Sequence, residues 1–442
     1  MSQSTTIQYK APAAEVAASQ RYKVRINGEP VFVYDSQGAG YAVLSAEGKV
    51  TVEIEDRDAA EAVVVRPLRH GIQPVRSGGV IRFEAEAPIK LSVEFDGHLR
   101  EPLFIWINPL ETEARPDPSD PSVRYFKGGE VHNPGEIVLS DGETVYIEEG
   151  AVVHGRISAS DASNIAIRGR GILDGSLWRT AEAGSKKQLM MLLAGCLGVT
   201  IEGISVIDGP TWHVVPTGCT DVSITNVNIL TYAGTGDGID IVGCENVTVD
   251  NAFVRSKDDC IAIKAVDYFH PAGLHDVKNV RVTRSVFWNA EWGNALEIGY
   301  ETRCASISEI EFSDCDVIRC EFEGYESGGT FTIHNGDRAD VHNVLYNDIR
   351  VEDSQEKLID IKVQYSQYSR DAERGQVRDI RFQDIAIVGG QLPVSIIRGY
   401  DGEHLIQQVE ISNLTYMGEP LRTANEAKMV VELSKSKTIQ FT

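Results

Sequence analysis

The sequence lacks apolar runs of about 18 residues or more, the lower limit for a helix that spans a bilayer. Its first residues, MSQSTTIQYKAPAAEVAASQ, also lack the basic start and the hydrophobic segment of a secretory signal. We therefore expect no membrane partner and, for the chain as written, a cytoplasmic location. A secreted or periplasmic location would apply if a signal peptide had been removed.

Basic residues are scarce. Lys and Arg number 42 against 65 Asp and Glu, which gives a formal charge of −23 at pH 7. Such a field repels phosphate backbones and anionic lipids, so we expect no nucleic-acid partner. A neutral substrate suits this field, whereas a polyanion would need a local basic pocket to overcome it.

Cysteine spacing gives no sign of a zinc site, because the seven cysteines lack paired CxxC motifs. Three of them, Cys196, Cys219 and Cys244, occupy the same place in the successive units LAGC, PTGC and IVGC. Buried free cysteine commonly acts as a small hydrophobic residue, so a packed thiol ladder is favoured over a metal or redox site. We expect no cofactor. The sequence does not determine the oligomeric state.

The chain of 442 residues is longer than one hydrophobic core usually organises. Residues 1–20 are predicted to be an N-terminal tail. Short alternating segments over 21–108, such as KVTVEIE and LFIWIN, predict a small β-sandwich. The Pro-rich stretch 109–122 predicts a linker, since proline is excluded from sheet interiors.

Residues 123–442 contain a repeated unit in which a turn-forming residue precedes an aliphatic-x-aliphatic strand. The first aliphatic residues of nine such units are Ile165, Val199, Val222, Val247, Val280, Ile310, Val344, Ile380 and Val409. Their spacing has a minimum of about 23 residues, and long amphipathic helical patterns are absent. We therefore predict an all-β protein in which a right-handed parallel β-helix follows the sandwich.

Three of these coils carry related strands, GDGIDI at 236–241, DDCIAIK at 258–264 and GNALEIG at 293–299. Strand alternation places their aliphatic residues inside and the intervening residues outside. On this alignment Asp237, Asp259 and Asn294 stack on one another, with Asp258 beside them. The sequence therefore predicts a cluster of at least three carboxylates on the outer face of the coil.

Carboxylates that lie close together raise the pKa of at least one member, which leaves a protonated acid beside ionised neighbours. Glycosidic cleavage uses such a pair, since an acid protonates the leaving oxygen while a base activates water. Two alternatives stay open. Clustered oxygen atoms also suit a calcium ion, and Asp residues also cap turns through their side chains.

The series GDGIDI, SKDDCIAIK and WGNALEIG resembles the motifs of the polygalacturonases, glycoside hydrolase family 28. The resemblance implies that Asp258 is the general acid and that Asp237 and Asp259 hold the attacking water, with inversion at the anomeric carbon. The histidine of that family is replaced here by Asn294. Its Arg and Lys, which meet the galacturonate carboxylate, are replaced by Thr332 and His334.

The segment LEIGYETR is similar to one in the dextranases and isopullulanases of family 49, where an aromatic residue and an Arg correspond to Tyr300 and Arg303. These relatives also have a β-sandwich before the β-helix. Because basic residues are few around the acidic cluster, we expect a neutral sugar at the cleaved position.

Ten residues near the cluster are candidates for binding the carbohydrate substrate, namely Trp212, His213, Asp240, Lys264, Trp292, Asn294, Glu297, Tyr300, Arg303 and His334. Trp288 is a weaker candidate, since Trp is often half-buried. Lys264 either ties a carboxylate, contacts sugar hydroxyls or is merely solvated. A polysaccharide lyase or epimerase, and a noncatalytic carbohydrate-binding β-helix, stay open as alternative functions.

Overall fold

The structure is a computed structural model that describes residues 5–58, 60–179, 189–321, 328–432 and 436–442. Almost all of its regular structure is β-strand. In the described residues the helices are three short 3₁₀ segments, Leu68–His70, Ser176–Trp178 and Pro271–Leu274. None of the described helices has the length and apolar character needed to cross a membrane.

The first sheet contains ten strands among the described residues. In chain order they are β1 Thr6–Gln8, β2 Tyr22–Ile26, β3 Glu29–Val31, β4 Tyr34–Ser36, β5 Ala39–Asp56, β6 Val63–Arg66, β7 Val75–Ser77, β8 Val80–Ala87, β9 Ile89–Phe95 and β10 His98–Asn108. The long strand β5 pairs with β10 through its first half and with β2 and β8 through its second half. Side chains from both groups of strands pack around one core, as in a sandwich.

The predicted tail is partly structured, because β1 pairs antiparallel with Ser45–Glu47 of β5. The predicted linker 109–122 lies between the last strand of the first sheet and the first strand of the second. The division of the chain into domains at these boundaries stays a prediction.

Within the part of the chain that the structure describes, the second sheet contains 29 strands. In chain order they are β11 Val123–Phe126, β12 Val131–Leu139, β13 Thr144–Ile147, β14 Val152–Ser160, β15 Ser163–Gly169, β16 Ile172–Asp174, β17 Met191–Ala194, β18 Leu197–Glu202, β19 Ser205–Ile207, β20 Val214–Thr217, β21 Thr220–Thr225, β22 Asn228–Leu230, β23 Ile239–Val242, β24 Glu245–Asp250, β25 Phe253–Ser256, β26 Ile261–Ala265, β27 Val277–Thr283, β28 Val286–Asn289, β29 Asn294–Thr302, β30 Ser306–Cys320, β31 Gly329–Asn335, β32 Asp340–Val351, β33 Lys357–Val363, β34 Gln376–Ile387, β35 Ser395–Arg398, β36 Ile406–Tyr416, β37 Glu419–Pro420, β38 Met429–Val431 and β39 Ser436–Phe441.

Strands of successive coils pair in parallel, as in a β-helix. The nine aliphatic residues used to define the repeat are direct neighbours in one ladder, from Ile165 paired with Val199 to Ile380 paired with Val409. These residues fill the inside of the coil. The predicted fold class, all-β with a parallel β-helix, is confirmed.

The three repeated cysteines lie inside the coil at the same turn, and all are buried and free. The Cys219 amide donates to the sulfur of Cys244 at 3.3 Å, and the Cys219 thiol donates to the Leu193 carbonyl at 3.0 Å. The described part of the chain contains no group of three or more His, Cys, Asp or Glu side chains arranged to hold a metal ion.

Aromatic side chains join the first sheet to the β-helix. Phe104 and Trp106 of β10 pack against Phe253 and Trp288 of two helix coils, with ring centroids 5.3 to 5.9 Å apart. Trp288 is fully buried there, and its indole N–H donates to Glu321 at 2.6 Å. Trp288 is therefore a packing residue of this interface rather than a sugar-binding surface.

Candidate active site

A groove of about 1190 Å³ runs across the outer face of the β-helix. Its floor contains Asp237, Asp258 and Asp259, and its walls contain aromatic side chains contributed by several loops. An open groove with convergent polar groups is the usual form of a site for a small molecule or a sugar chain.

The register of the sheet stacks the acidic residues in neighbouring coils. Ile239 pairs with Ile261 and Ile261 with Leu296, so the residues just before these strands lie one above another. The Gly238 amide donates to the Asp259 carbonyl at 2.8 Å. A Cβ atom on Gly238 would lie 2.5 Å from the Cys260 carbonyl oxygen, so the GDG sequence permits this close stacking.

Asp258 is held through its backbone, which leaves its carboxyl group at the groove. The Ser256 hydroxyl and the Asn289 amide each donate to the Asp258 carbonyl at 2.8 Å. Asp258 is half-buried, whereas Asp237 and Asp259 are buried at 1% and 6% exposure. Gly293 faces Asp258 with φ +68°, and a Cβ there would lie 2.4 Å from the Asp258 Oδ1 atom. The two kinds of carboxyl group therefore have different access to a substrate.

The ammonium group of Lys264 lies among three carboxylates. Its Nζ atom is 2.9 Å from Asp237 Oδ2, 3.0 Å from Asp240 Oδ1 and 3.6 Å from Asp259 Oδ2. It also lies 4.1 Å from the centre of the Trp212 ring. The Lys264 side chain is only 6% exposed. In the structure Lys264 therefore pairs with carboxylates, one of the three roles that the sequence left open, and it is not a solvated lysine.

Burial raises the pKa of Asp237 and of Asp259 well above the usual range, and neighbouring carboxylates raise both further. The Lys264 ammonium opposes this rise. Burial alone would lower the pKa of Lys264, but the carboxylates around it raise that pKa instead, so the ammonium stays charged. The cluster is thus equipped to hold and exchange protons near neutral pH.

Asn294 orients Asp259, as the predicted stacking requires. Its backbone amide and its side-chain amide both donate to Asp259 Oδ1 at 2.9 Å. Asn294 is 2% exposed but still contributes to the groove surface. Hydrogen bonds to the charged form of a carboxylate favour ionisation, so Asn294 helps to hold Asp259 as an anion.

Glu297 and His334 were predicted to bind substrate, but the structure encloses both. His334 lies between two carboxylates. Its Nδ1 atom is 3.1 Å from Glu297 Oε1 and its Nε2 atom is 3.2 Å from Asp360 Oδ2, and all three side chains are fully buried. Burial lowers the pKa of His334, but the two carboxylates outweigh it and the net pKa is raised to about 9. The Tyr300 ring stacks on His334 with centroids 4.5 Å apart, and Tyr300 itself lines the groove, so its contact with substrate stays a prediction.

Three further candidates also lie away from the groove. His213 is fully buried, and its Nε2 accepts from the Gly209 amide at 2.9 Å. Asp240 is fully buried and pairs with Lys264 at 3.0 Å. Arg303 binds Asp267 at 2.7 Å and lies 3.6 Å from Asp371. A residue on the outer face of the β-helix is therefore not always exposed to solvent, because other parts of the chain cover some of that face.

The groove also contains residues that the sequence analysis missed, among them Tyr268, Glu301, Tyr368 and Arg370. Tyr268 donates a hydrogen bond to Glu301 at 2.8 Å, and Tyr300 and Tyr368 lie 5.5 Å apart. These residues come from loops and from a coil end outside the aligned strands. For Tyr368 and Arg370 the visible signal was the pair of tyrosines in VQYSQYSR, at 363–370.

Trp212 and Trp292 both line the groove, but they differ in exposure. Trp212 is 5% exposed and packs on Phe269, whereas Trp292 is 44% exposed. An exposed indole face can stack on a sugar ring. We expect Trp292→Ala to raise KM about tenfold with little change in kcat. Stacking on the indole would stabilise the bound substrate and the transition state equally, by roughly 1.4 kcal/mol, so its loss weakens binding without slowing the chemical step. Steady-state kinetics measures this, and a fall in kcat with unchanged KM would contradict it.

A groove that presents one half-buried carboxyl group beside a buried carboxyl pair has the groups that acid-base cleavage of a glycosidic bond requires. The model of glycosyl hydrolases family 28 matches residues 126–386, and the chain belongs to this family. The resemblance to this family that the sequence motifs indicated is confirmed.

Several curated polygalacturonases are similar to part of this chain. Exopolygalacturonase A of Aspergillus niger is 23% identical over 209 residues, which are 43% of this chain and 46% of the relative. Probable endopolygalacturonase C of Aspergillus aculeatus is 25% identical over 263 residues, which are 55% of this chain and 62% of the relative. The chain spans about half the length of the curated relatives it matches.

Two solved structures share the fold over nearly the whole chain. The family 28 exopolygalacturonase of Yersinia enterocolitica has a TM-score of 0.57 at 14% identity and covers 99% of this chain and 96% of its own. Dex49A from Penicillium minioluteum has a TM-score of 0.51 at 14% identity and covers 98% and 97%. Both relatives implied by the sequence motifs are therefore confirmed at the level of fold.

The expectation of a neutral sugar is not supported, because the curated relatives are named for polygalacturonan, a polyanion. The expectation came from counting basic residues on the aligned coils alone. The groove also receives basic residues from elsewhere, namely Arg156 and Arg370.

Proposed function

We propose that the protein is a polygalacturonase-type hydrolase that cleaves galacturonan by single displacement with inversion. The observation that carries the proposal is the difference between the carboxyl groups of the cluster. Asp258 is half-buried at the groove, whereas Asp237 and Asp259 are buried and both lie within 4 Å of the Lys264 ammonium. The names of the relatives support the substrate class.

In the proposed reaction Asp258 donates its proton to the glycosidic oxygen as the bond from the anomeric carbon to that oxygen breaks. Asp237 and Asp259 orient a water molecule on the opposite face of the sugar. The water oxygen bonds to the anomeric carbon, and its proton passes to one of the two carboxylates. Lys264 keeps this pair sufficiently ionised to accept the proton, despite the burial that raises both pKa values.

The test is the release of reducing ends from polygalacturonate, dextran and galactan, combined with proton NMR of the first product formed. Release from polygalacturonate with the opposite anomer as first product is expected. Unsaturated products absorbing in the ultraviolet would instead indicate a lyase. Binding without any release of reducing ends would indicate a noncatalytic β-helix. Faster release from dextran or galactan than from polygalacturonate would contradict the proposed substrate class.

We expect a chelator to leave the activity unchanged. Three carboxylates surround the Lys264 ammonium. The ammonium lies where a metal ion would have to bind, and it already supplies the positive charge that these carboxylates need. Initial rates on polygalacturonate before and after EDTA treatment measure this. Loss of activity that calcium restores would contradict it and favour the metal-binding alternative.

A further inference from the structure

Three cations are among the described residues that line the groove, and two of them are already paired. Arg156 binds Glu136 at 2.8 Å, and Lys264 lies among three carboxylates. The third, Arg370, has no carboxylate within ion-pair distance among the described residues, and it is exposed. Its guanidinium is therefore the lining cation with free capacity for an anion.

The segment that carries Arg370 is fixed to the β-helix from beneath. The buried carboxylate of Asp337 accepts the backbone amides of Arg370 at 2.6 Å and of Asp371 at 2.8 Å through Oδ1. Its Oδ2 accepts the Thr302 amide at 3.1 Å, which ties the segment to the end of β29. Arg370 is thus presented from a rigid base, which lowers the entropic cost of binding with it.

Neighbouring charges are arranged so that Arg370 is not neutralised by its own segment. The adjacent carboxylate of Asp371 is bound by Arg338 at 3.1 Å and lies 3.6 Å from Arg303. The Arg370 guanidinium donates to the Gln367 carbonyl at 3.0 Å and to the Tyr268 hydroxyl at 3.4 Å. These neutral contacts orient the guanidinium without cancelling its charge.

The two residues at the positions of the family's basic residues cannot bind a substrate carboxylate in the groove. Thr332 and His334 are both fully buried, and His334 already lies between two carboxylates. An acidic groove that takes a polyanion needs a cation to offset the charge of each enclosed carboxylate.

We propose that Arg370 binds the carboxylate of a uronate unit in the groove and so determines the preference for a charged chain. The inference rests on the proposed function and adds a residue outside the family motif. Guanidinium and carboxylate form paired, charge-assisted hydrogen bonds, and Tyr268 and Tyr368 stand beside Arg370 to contact the same sugar.

The test compares polygalacturonate with carboxyl-reduced polygalacturonate, in which each carboxylate is replaced by a hydroxymethyl group. We expect Arg370→Gln to lower kcat/KM on polygalacturonate by about 10- to 100-fold, the usual range for one charge-assisted contact, with little change on the reduced polymer. Arg381→Gln removes an exposed arginine that does not line the groove, and it should change neither value.

An Arg370→Gln variant that loses activity equally on both polymers, or on neither, would overturn the role of Arg370 alone. A wild-type protein that releases nothing from polygalacturonate would overturn the proposed function and this inference together. The two failures are therefore distinguished by the wild-type rate. Thermal unfolding of Arg370→Gln should match the wild type, because the side chain is exposed.

Discussion

Replacing Asp258 by Asn is expected to lower kcat on polygalacturonate by at least about 100-fold, the usual contribution of a general acid. The amide of Asn cannot deliver a proton to the leaving oxygen. The fold should be retained, because Ser256 and Asn289 bind the backbone carbonyl of Asp258 rather than its carboxyl group. The Asn oxygen can also still accept the Asp259 amide, as Asp258 Oδ1 does at 3.1 Å.

The measurement is kcat together with the melting temperature of both proteins. The loss should shrink on an aryl galacturonide with a good leaving group, because such a group departs without protonation. A matched control is Asp221→Asn, which alters an exposed carboxylate that accepts a hydrogen bond from the Asn246 side-chain amide at 2.9 Å. Near-normal kcat in Asp258→Asn would remove the acid role, and a large fall in melting temperature would favour turn capping instead.

The strand register could be predicted from the sequence because it depends on a local rule repeated many times. Each unit alternates inward aliphatic and outward residues, and burial of the aliphatic set fixes the pairing of coils. Ile165, Val199 and Val222 therefore identify neighbours in the ladder, and the same rule stacks Asp237 on Asp259.

The covering of the outer face could not be predicted in this way. Glu297 and His334 obey the alternation and point outward, but both are fully buried, with Asp360 and the Tyr300 ring packed against His334. Arg370 reaches the groove from a segment far along the chain from Asp258, and no local pattern relates the two. Charge counted on aligned strands therefore missed the one lining cation without a carboxylate partner among the described residues.

Lys264→Met is expected to destabilise the protein by about 3–5 kcal/mol, the usual cost of leaving buried charges without their partner. The substitution removes the ammonium that lies within 4 Å of three buried carboxylates. Methionine has a similar length and can keep the contact with Trp212. We also expect kcat to fall by at least about 100-fold, because Asp237 and Asp259 would retain protons and lose their capacity to act as a base.

The destabilisation should grow as pH rises. A carboxyl group whose folded pKa lies above its unfolded value of about 3.9 binds more protons folded than unfolded between those two values, so stability falls with rising pH in that window. Burial already raises the pKa of Asp237 and Asp259, and removing Lys264 raises both further. The wild-type lysine stays charged from about pH 4 to about pH 8, since its own pKa lies above 10.5. The difference between variant and wild type is therefore small near the lower pH and large near the higher one.

Urea unfolding at about pH 4 and about pH 8 measures the change in this difference. Lys257→Met is the matched control, because Lys257 is partly exposed and binds Glu291 at 3.1 Å, a pair worth about 0–1 kcal/mol. Its effect should not widen with pH, since no buried carboxylate depends on it. If the Lys264→Met difference were constant or narrowed at the higher pH, the carboxylates would not be titrating against this ammonium. The account of Lys264 as the charge that keeps the catalytic pair ionised would then be wrong.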